Sequence, residues 1–183
     1  ESDVFPGDAS VSERPPDGDD TLVHAGHPIV PTELVSALET KRVAQLEKFR
    51  FTYEQFGKLK ATADHEGVQF LSTPFDLDSV VFLTSLVPAF KIASGDNDFI
   101  PLLRTVCDTD KPLLVSTGLT DLEMCRRIAD FVHHEWGRRA HPGELALLHC
   151  VSSYPTPWES ANIRAITTLQ SIPGCEIGYS DHT

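Results

Sequence analysis

Residues 112–118 read PLLVSTG: a proline, three apolar residues, then Ser116, Thr117 and Gly118. The same unit recurs on both sides of it. VQFLSTP (68–74) and AFKIASG (89–95) precede it, and LALLHCVSS (145–153) and CEIGYSDH (175–182) follow. Each is a short run rich in Val, Ile, Leu or Phe that gives way to small polar residues, the pattern of a strand buried on both faces. Helix-like segments fill the intervals. In TDLEMCRRIADFVHHEW (120–136), Leu122, Cys125, Ala129, Val132 and Trp136 fall at helical spacing, and Thr120 with Glu123 predicts a capping box. Residues 98–108 carry Pro101 in a first turn, and 160–171 set Ile163, Ile166 and Leu169 on one side. Further back, FTYEQFGKLKATADHEG (51–67) predicts an amphipathic helix ending at Gly67, within a helical pattern that starts near Leu34.

Strands alternating with helices predict an α/β fold built from right-handed βαβ units around a parallel sheet. Unit lengths suit either a doubly wound sheet or a (β/α)8 TIM barrel. The strand ends favour the barrel. All five finish in hydroxyls or charged residues: Ser72–Thr73, Ser94–Asp96, Ser116–Thr117, Ser152–Ser153 and Ser180–His182. In a barrel every such end converges on one mouth, whereas a doubly wound sheet gathers its polar groups mainly at one switch point. Five strands do not close a barrel of eight, so the missing strands are expected outside this segment.

Composition narrows the function. The 183 residues are 40% hydrophobic, enough for one core, and 27 acidic against 15 basic residues give a net charge of −12. That balance excludes a nucleic-acid partner or an anionic membrane surface, both of which need clustered Lys and Arg. A phosphate would have to be gripped locally. No run approaches the ~18 apolar residues of a membrane span, and no signal peptide is visible. The four cysteines (Cys107, Cys125, Cys150, Cys175) form no CxxC and mostly lie in apolar runs, which predicts buried reduced thiols in a cytoplasmic protein. Residues 1–30, with SERPPDGDD, are too poor in apolar residues to pack and predict a flexible acidic loop. The chain begins at Glu1 without a Met and stops just past a strand-like run, which reads as part of something longer.

Lys91 sits inside AFKIASGD (89–96), where an unpaired ammonium would be expensive. One lysine among convergent Ser and Thr hydroxyls is a way to hold phosphate without a basic surface: hydroxyls and helix-start N–H groups donate, and the ammonium supplies charge. Helix capping explains any single hydroxyl equally well; it explains five successive strand ends less well. Neither GxxxxGK[ST] nor GxGxxG is present. His182, beside Asp181, is a candidate metal ligand, while His149 inside LALLHC reads as a hydrogen-bonded core histidine. SSYPTPWE (152–159) predicts a stiff loop over the mouth, with Tyr154 placed to touch a substrate.

FLSTPFD, PAFKIASGD, KPLLVSTG, ALLHCVSSYPTP and IGYSDHT, in this order and spacing, resemble the sialic acid (N-acetylneuraminate) synthases and their legionaminic and pseudaminic acid relatives. The resemblance covers about residues 50–183. It implies a (β/α)8 barrel of which residues 31–183 supply about strands 3 to 7. It further implies condensation of phosphoenolpyruvate with an N-acetylated amino sugar such as N-acetylmannosamine, assisted by Mn2+ or Mg2+. Lys91, Thr73, Ser94, Ser116 and Ser180 match positions that hold phosphoenolpyruvate; Ser152 stands where Asn is frequent. Asp96 matches an acidic residue contacting the acceptor sugar, and Lys91 and Asp96 are the implied catalytic pair. Tyr154 matches a sugar contact and His182 one of two metal-binding histidines. The AEIGxNHxG and KFQ-type motifs of the first two strands, the glutamate among them, strand eight with its histidine, and a C-terminal antifreeze-like domain that completes a homodimer are all absent from this stretch. Two rival readings are a class I aldolase with Lys91 as Schiff-base lysine, and a non-catalytic sugar- or phosphate-binding barrel.

Overall fold

The structure is a computed structural model that describes residues 40–41, 43–44, 47–141 and 143–183. The expected flexible stretch 1–30 and the start of the helical pattern near Leu34 lie outside the described residues. The chain divides into two units, Glu1–Phe56 and Gly57–Thr183.

In the first unit a 3-10 turn (Glu47–Phe49) precedes the start of helix α1 (Tyr53–His65). Thr52 and Gln55 cap α1 reciprocally: the Gln55 N–H donates to Thr52 Oγ1 (3.2 Å), and the Thr52 N–H to Gln55 Oε1 (2.7 Å). The helix stops where the sequence predicts, with Gly67 at φ +69, a left-handed conformation that costs glycine little. No α1 side chain is fully buried.

The second unit continues with α2 (Leu77–Leu83), β1 (Phe90–Ile92), α3 (Ile100–Cys107), β2 (Leu113–Ser116), α4 (Leu122–Arg138), β3 (Leu145–His149), α5 (Ala165–Leu169) and β4 (Glu176–Tyr179). The four strands form one parallel sheet in the order β1-β2-β3-β4, with Lys91 opposite Leu114, Leu114 opposite Ala146, and Leu148 opposite Gly178. Sheet neighbours are chain neighbours throughout, so right-handed crossovers carry all the connecting helices over one face. Among the described strands there is no order reversal, hence no switch point of the doubly wound kind.

Alternation along the strands separates the faces. Phe90, Ile92, Leu113, Val115, Leu145 and Leu147 are buried at 3% exposure or less. They meet an apolar layer from Val80 and Leu83 of α2, Leu102, Leu103 and Val106 of α3, and Ile128, Ala129 and Val132 of α4. Enclosing a Val or Ile side chain of this kind contributes about 1.5–3 kcal/mol. The opposite face bears Lys91, Leu114, Ala146 and Leu148, all half-buried.

Three expectations are corrected. Among the described residues VQFLSTP (68–74) is not a strand. Pro74 has no N–H to offer a ladder, and Val68 and Leu71 remain 59% and 48% exposed, so burial does not impose a register. Helix α4 is capped by Asp121 rather than Thr120: the Met124 N–H donates to Asp121 Oδ1 (2.8 Å), and Asp121 has the extended backbone of an N-cap. The helical segment 160–171 is shorter, a 3-10 turn at Trp158–Ser160 followed by α5, and of its predicted stripe only Leu169 is buried while Ile163 is exposed.

Candidate active site

The apolar run of β1 places Lys91 on the half-buried face, opposite Leu114 of β2, and two residues further Ser116 occupies the same face. The Lys91 ammonium donates to Ser116 Oγ at 2.8 Å, and Ser116 is 2% exposed. The charge that looked misplaced in a core run is thereby met by a neighbouring strand end. The geometry also sets the hydroxyl's direction. Ser116 Oγ accepts from Lys91, so its own O–H is free to donate to an incoming acceptor.

Beyond β1 the chain turns sharply through a 3-10 turn at Ser94–Asp96. Ser94 Oγ accepts the Gly118 N–H (3.2 Å) and lies 3.1 Å from Cys150 Sγ. Asn97, 4% exposed, donates from Nδ2 to the carbonyls of Ser116 (3.0 Å) and Gly118 (3.3 Å). Thr117 turns away from the hydroxyl ring: its N–H and Oγ1–H both donate to Leu148 O (3.0 and 3.2 Å).

A second cluster forms where β3 and β4 end. His182 Nδ1 is 2.8 Å from the Val151 carbonyl, which can only accept. Nδ1 therefore donates, and in the neutral ring the Nε2 lone pair is left toward Ser180 Oγ, 3.5 Å away. The Tyr154 ring lies 4.3 Å from the His182 ring, tilted by 36°, on a loop whose Tyr154–Pro155 bond is cis. Thr156 ties that loop to the last strand end through its N–H to His182 O (2.7 Å). Asp181 serves the turn instead: it accepts from the Thr183 N–H (2.9 Å), the Thr183 hydroxyl and the Tyr179 hydroxyl, and the Thr183 N–H above all holds its carboxyl below the usual range. His149 is the core histidine expected, 7% exposed, with Nε2 2.8 Å from Ala161 O and its ring stacked on Tyr179.

Of the residues picked from the sequence, the structure brings together Lys91 with Ser116, and Tyr154 with His182 and Ser180. Ser94 and Ser152 meet around Gly118: a Cβ built there would stand 2.8 and 2.6 Å from their hydroxyls. Thr73 and Asp96, both half-buried, make no side-chain hydrogen bond to these groups among the described residues. Gly118, Asn97 and Cys150 were missed as site residues. Only the glycine directly after the Ser-Thr pair hinted at a close approach.

His182 fits one metal-ligand position, since its Nδ1–H is anchored on a backbone carbonyl and its Nε2 lone pair is available. Among the described residues no three His, Cys, Asp or Glu side chains gather into a metal-binding group. No described helix is long and apolar enough to cross a membrane.

The parallel sheet sets the Lys91 ammonium on β1 and the hydroxyls of Ser94, Ser116, Ser152 and Ser180 at or just beyond the C-terminal ends of its strands, the edge where α/β proteins of this class build their sites. Comparison narrows it. Residues 31–183 match the NeuB family, and the chain belongs to that family. It is 47% identical over 131 residues to an uncharacterized protein of Methanocaldococcus jannaschii, covering 71% of this chain and 37% of that one. It is 37% identical to the N,N'-diacetyllegionaminic acid synthase of Legionella pneumophila, covering 75% and 39% respectively. Among solved structures, the N-acetylneuraminic acid (sialic acid) synthetase of Leptospira borgpetersenii, crystallised with citrate, superposes with a TM-score of 0.67 at 32% identity, over 73% of this chain and 45% of that one. The matched stretch thus spans less than half the length of each of these relatives.

Proposed function

We propose that this chain supplies the phosphoenolpyruvate-binding wall of a synthase that makes a nonulosonic, sialic-type acid. The observation that carries the reading is the Lys91–Ser116 contact, an ammonium and a donor hydroxyl side by side on the open face of the sheet. Family membership and the synthase names of its relatives support it. The sequential four-strand sheet is then an arc of a (β/α)8 barrel, and the half-buried face with Lys91 lines its interior. The stretch matched in these relatives is less than half of each, so the reaction is proposed for the complete gene product.

In this reading carbon 3 of phosphoenolpyruvate adds to the aldehyde carbon of an open-chain N-acetylated amino sugar. Water adds at carbon 2, and phosphate departs with C–O cleavage. Lys91 pairs with the phosphate charge, and Ser94, Ser116, Ser152, Ser180 and Thr73 donate to phosphate and carboxylate oxygens, which is positioning and electrostatic stabilisation. Asp96 accepts from sugar hydroxyls and Tyr154 flanks the sugar. His182 would contribute one ligand to a divalent ion, Mn2+ or Mg2+, which when bound supplies Lewis acidity toward the sugar carbonyl. The whole protein is a homodimer of the cytoplasm with no nucleic-acid or membrane partner.

Calorimetric titration of the chain with phosphoenolpyruvate tests the wall, and keto-acid formation by the complete gene product tests the reaction. The latter uses phosphoenolpyruvate, a panel of N-acetylated hexosamines, and samples with and without Mn2+. Binding to the chain and keto-acid formation with one of the sugars are expected. No keto acid with any sugar would overturn the reading.

A further inference from the structure

We propose that Gly118 and Asn97, which no substrate need touch, are the positioning residues that hold the hydroxyls of three strand ends as one anion cradle. The proposal rests on the phosphoenolpyruvate reading above and adds what builds the site. Gly118 stands at the end of β2, between Ser94 after β1 and Cys150 and Ser152 after β3. An added Cβ would lie 2.6 Å from Ser152 Oγ, 2.8 Å from Ser94 Oγ and 3.1 Å from Cys150 Sγ. Real Cβ atoms essentially never come within 3.0 Å of such neighbours. The demand at this position is for space, whereas Gly67, with nothing within 4 Å of an added Cβ, is required by its positive φ. The same residue's N–H donates to Ser94 Oγ and its carbonyl accepts from Asn97.

Hydrogen-bond direction gives the arrangement its chemistry. Ser94 Oγ has one lone pair filled by the Gly118 N–H, and the Cys150 thiol can fill the second. An approaching anion selects that state, in which the Ser94 O–H swings to the ligand and only protons rotate. Ser116, already accepting from Lys91, is set the same way. Asn97 keeps the two strand ends in register. Its amide spans the carbonyls of Ser116 and Gly118 from the far side of the turn, and at 4% exposure no water replaces it. Misplacement of the hydroxyls by about 1 Å is enough to cost on the order of 10²-fold in a positioned site.

The test is a set of variants of the full chain, titrated calorimetrically with phosphoenolpyruvate and melted without it. Gly118→Ala is expected to weaken binding by about 10²-fold, and Asn97→Ala by about tenfold, the scale of a lost hydrogen bond. The decisive readout is the coupling of Gly118→Ala to Ser152→Ala. Deleting the Ser152 hydroxyl removes the tightest collision, so Gly118→Ala must cost clearly less affinity in that background than in the wild type. A merely structural glycine would lower the melting temperature without producing that coupling. If the wild type binds and Gly118→Ala binds within twofold of it, or costs the same factor in both backgrounds, the positioning role is overturned and the phosphoenolpyruvate reading stands. If Gly118→Ala does not fold, Asn97→Ala decides: unchanged affinity overturns the proposal. A wild-type chain that binds neither phosphoenolpyruvate nor inorganic phosphate brings down the underlying reading, and the proposal with it.

Discussion

Lys91→Met separates an anion-binding lysine from a structural one. Methionine keeps most of the apolar stem and removes the ammonium, so the change acts on charge rather than packing. An ammonium about 4 Å from a phosphate oxyanion, at an effective dielectric near ~20, attracts it by about 4 kcal/mol, which includes any charge-assisted hydrogen bond. Screening and solvent access on a half-buried face bring that down, and a net loss of about 3 kcal/mol corresponds to about 10²-fold in affinity. The cost to the fold is smaller. Ser116 Oγ loses its partner at 2.8 Å, a matter of about 1 kcal/mol. A chain of this size then melts about 2–4 °C lower. The assay is calorimetric titration of wild type and variant with phosphoenolpyruvate at two ionic strengths, beside thermal unfolding of each. A hundredfold weaker, less salt-sensitive association with nearly unchanged melting is expected. A folded variant that binds phosphoenolpyruvate within twofold of wild type would refute the role of Lys91.

Other expectations follow from the same structure. Burial, with Glu135 adding, pushes the Cys107 thiol up to about 12. Its folded pKa lies above the unfolded value of about 8.5, so its contribution to stability is whole below that pH and is lost as pH rises toward the folded value. Urea unfolding at several alkaline pH values should show a shallower loss for Cys107→Val than for wild type; equal slopes would contradict the burial argument. Asp76 caps α2 by accepting from the Ser79 N–H (2.7 Å) and hydroxyl (2.9 Å), with the N–H chiefly lowering its pKa. Its contribution is present above the ordinary aspartate value and lost as pH falls through the lower folded one. Asp76→Ala should therefore cost about 1 kcal/mol at neutral pH and progressively less in acid, and a difference that grows on acidification would count against the cap. Borohydride reduction in the presence of pyruvate should leave no adduct on Lys91 by peptide mass mapping; a trapped adduct would favour the Schiff-base aldolase chemistry.

What could be read from the sequence follows from how local each signal is. β1 to β4 stood out because an apolar run closed by hydroxyls is a local pattern, and its repetition predicted parallel order. The Lys91–Ser116 contact was not readable in the same way, because it depends on the register that sets Lys91 opposite Leu114, two residues before Ser116. Helix caps were harder. Thr120 and Asp121 are both good N-caps one residue apart, and the choice is made by backbone the sequence does not display: Leu119 in a left-handed conformation (φ 63) throws the start onto Asp121. VQFLSTP carries the same composition as a strand, yet pairing depends on a neighbour and on burial, neither of which is written locally. Gly118 was no more than hinted at, and Asn97 was invisible, for a related reason: their surroundings are set by what other strand ends bring against them, and single-chain spacing does not measure that.

The parallel sheet also ties the site to the rest of the fold. A parallel sheet is stable when both faces are covered, and here one face is sealed by α2 to α4 while the other leaves Leu114, Ala146 and Leu148 half-buried around Lys91. An ammonium on such a face is tolerable because solvent still reaches it. Completing the cover would desolvate Lys91 and strengthen its attraction for an anion several-fold over the open sheet, since the same charges interact more strongly at lower dielectric. Phosphoenolpyruvate should therefore bind the complete gene product more tightly than it binds this chain. If the two bind equally, Lys91 gains nothing from enclosure, and the proposed barrel interior is not where the ligand sits.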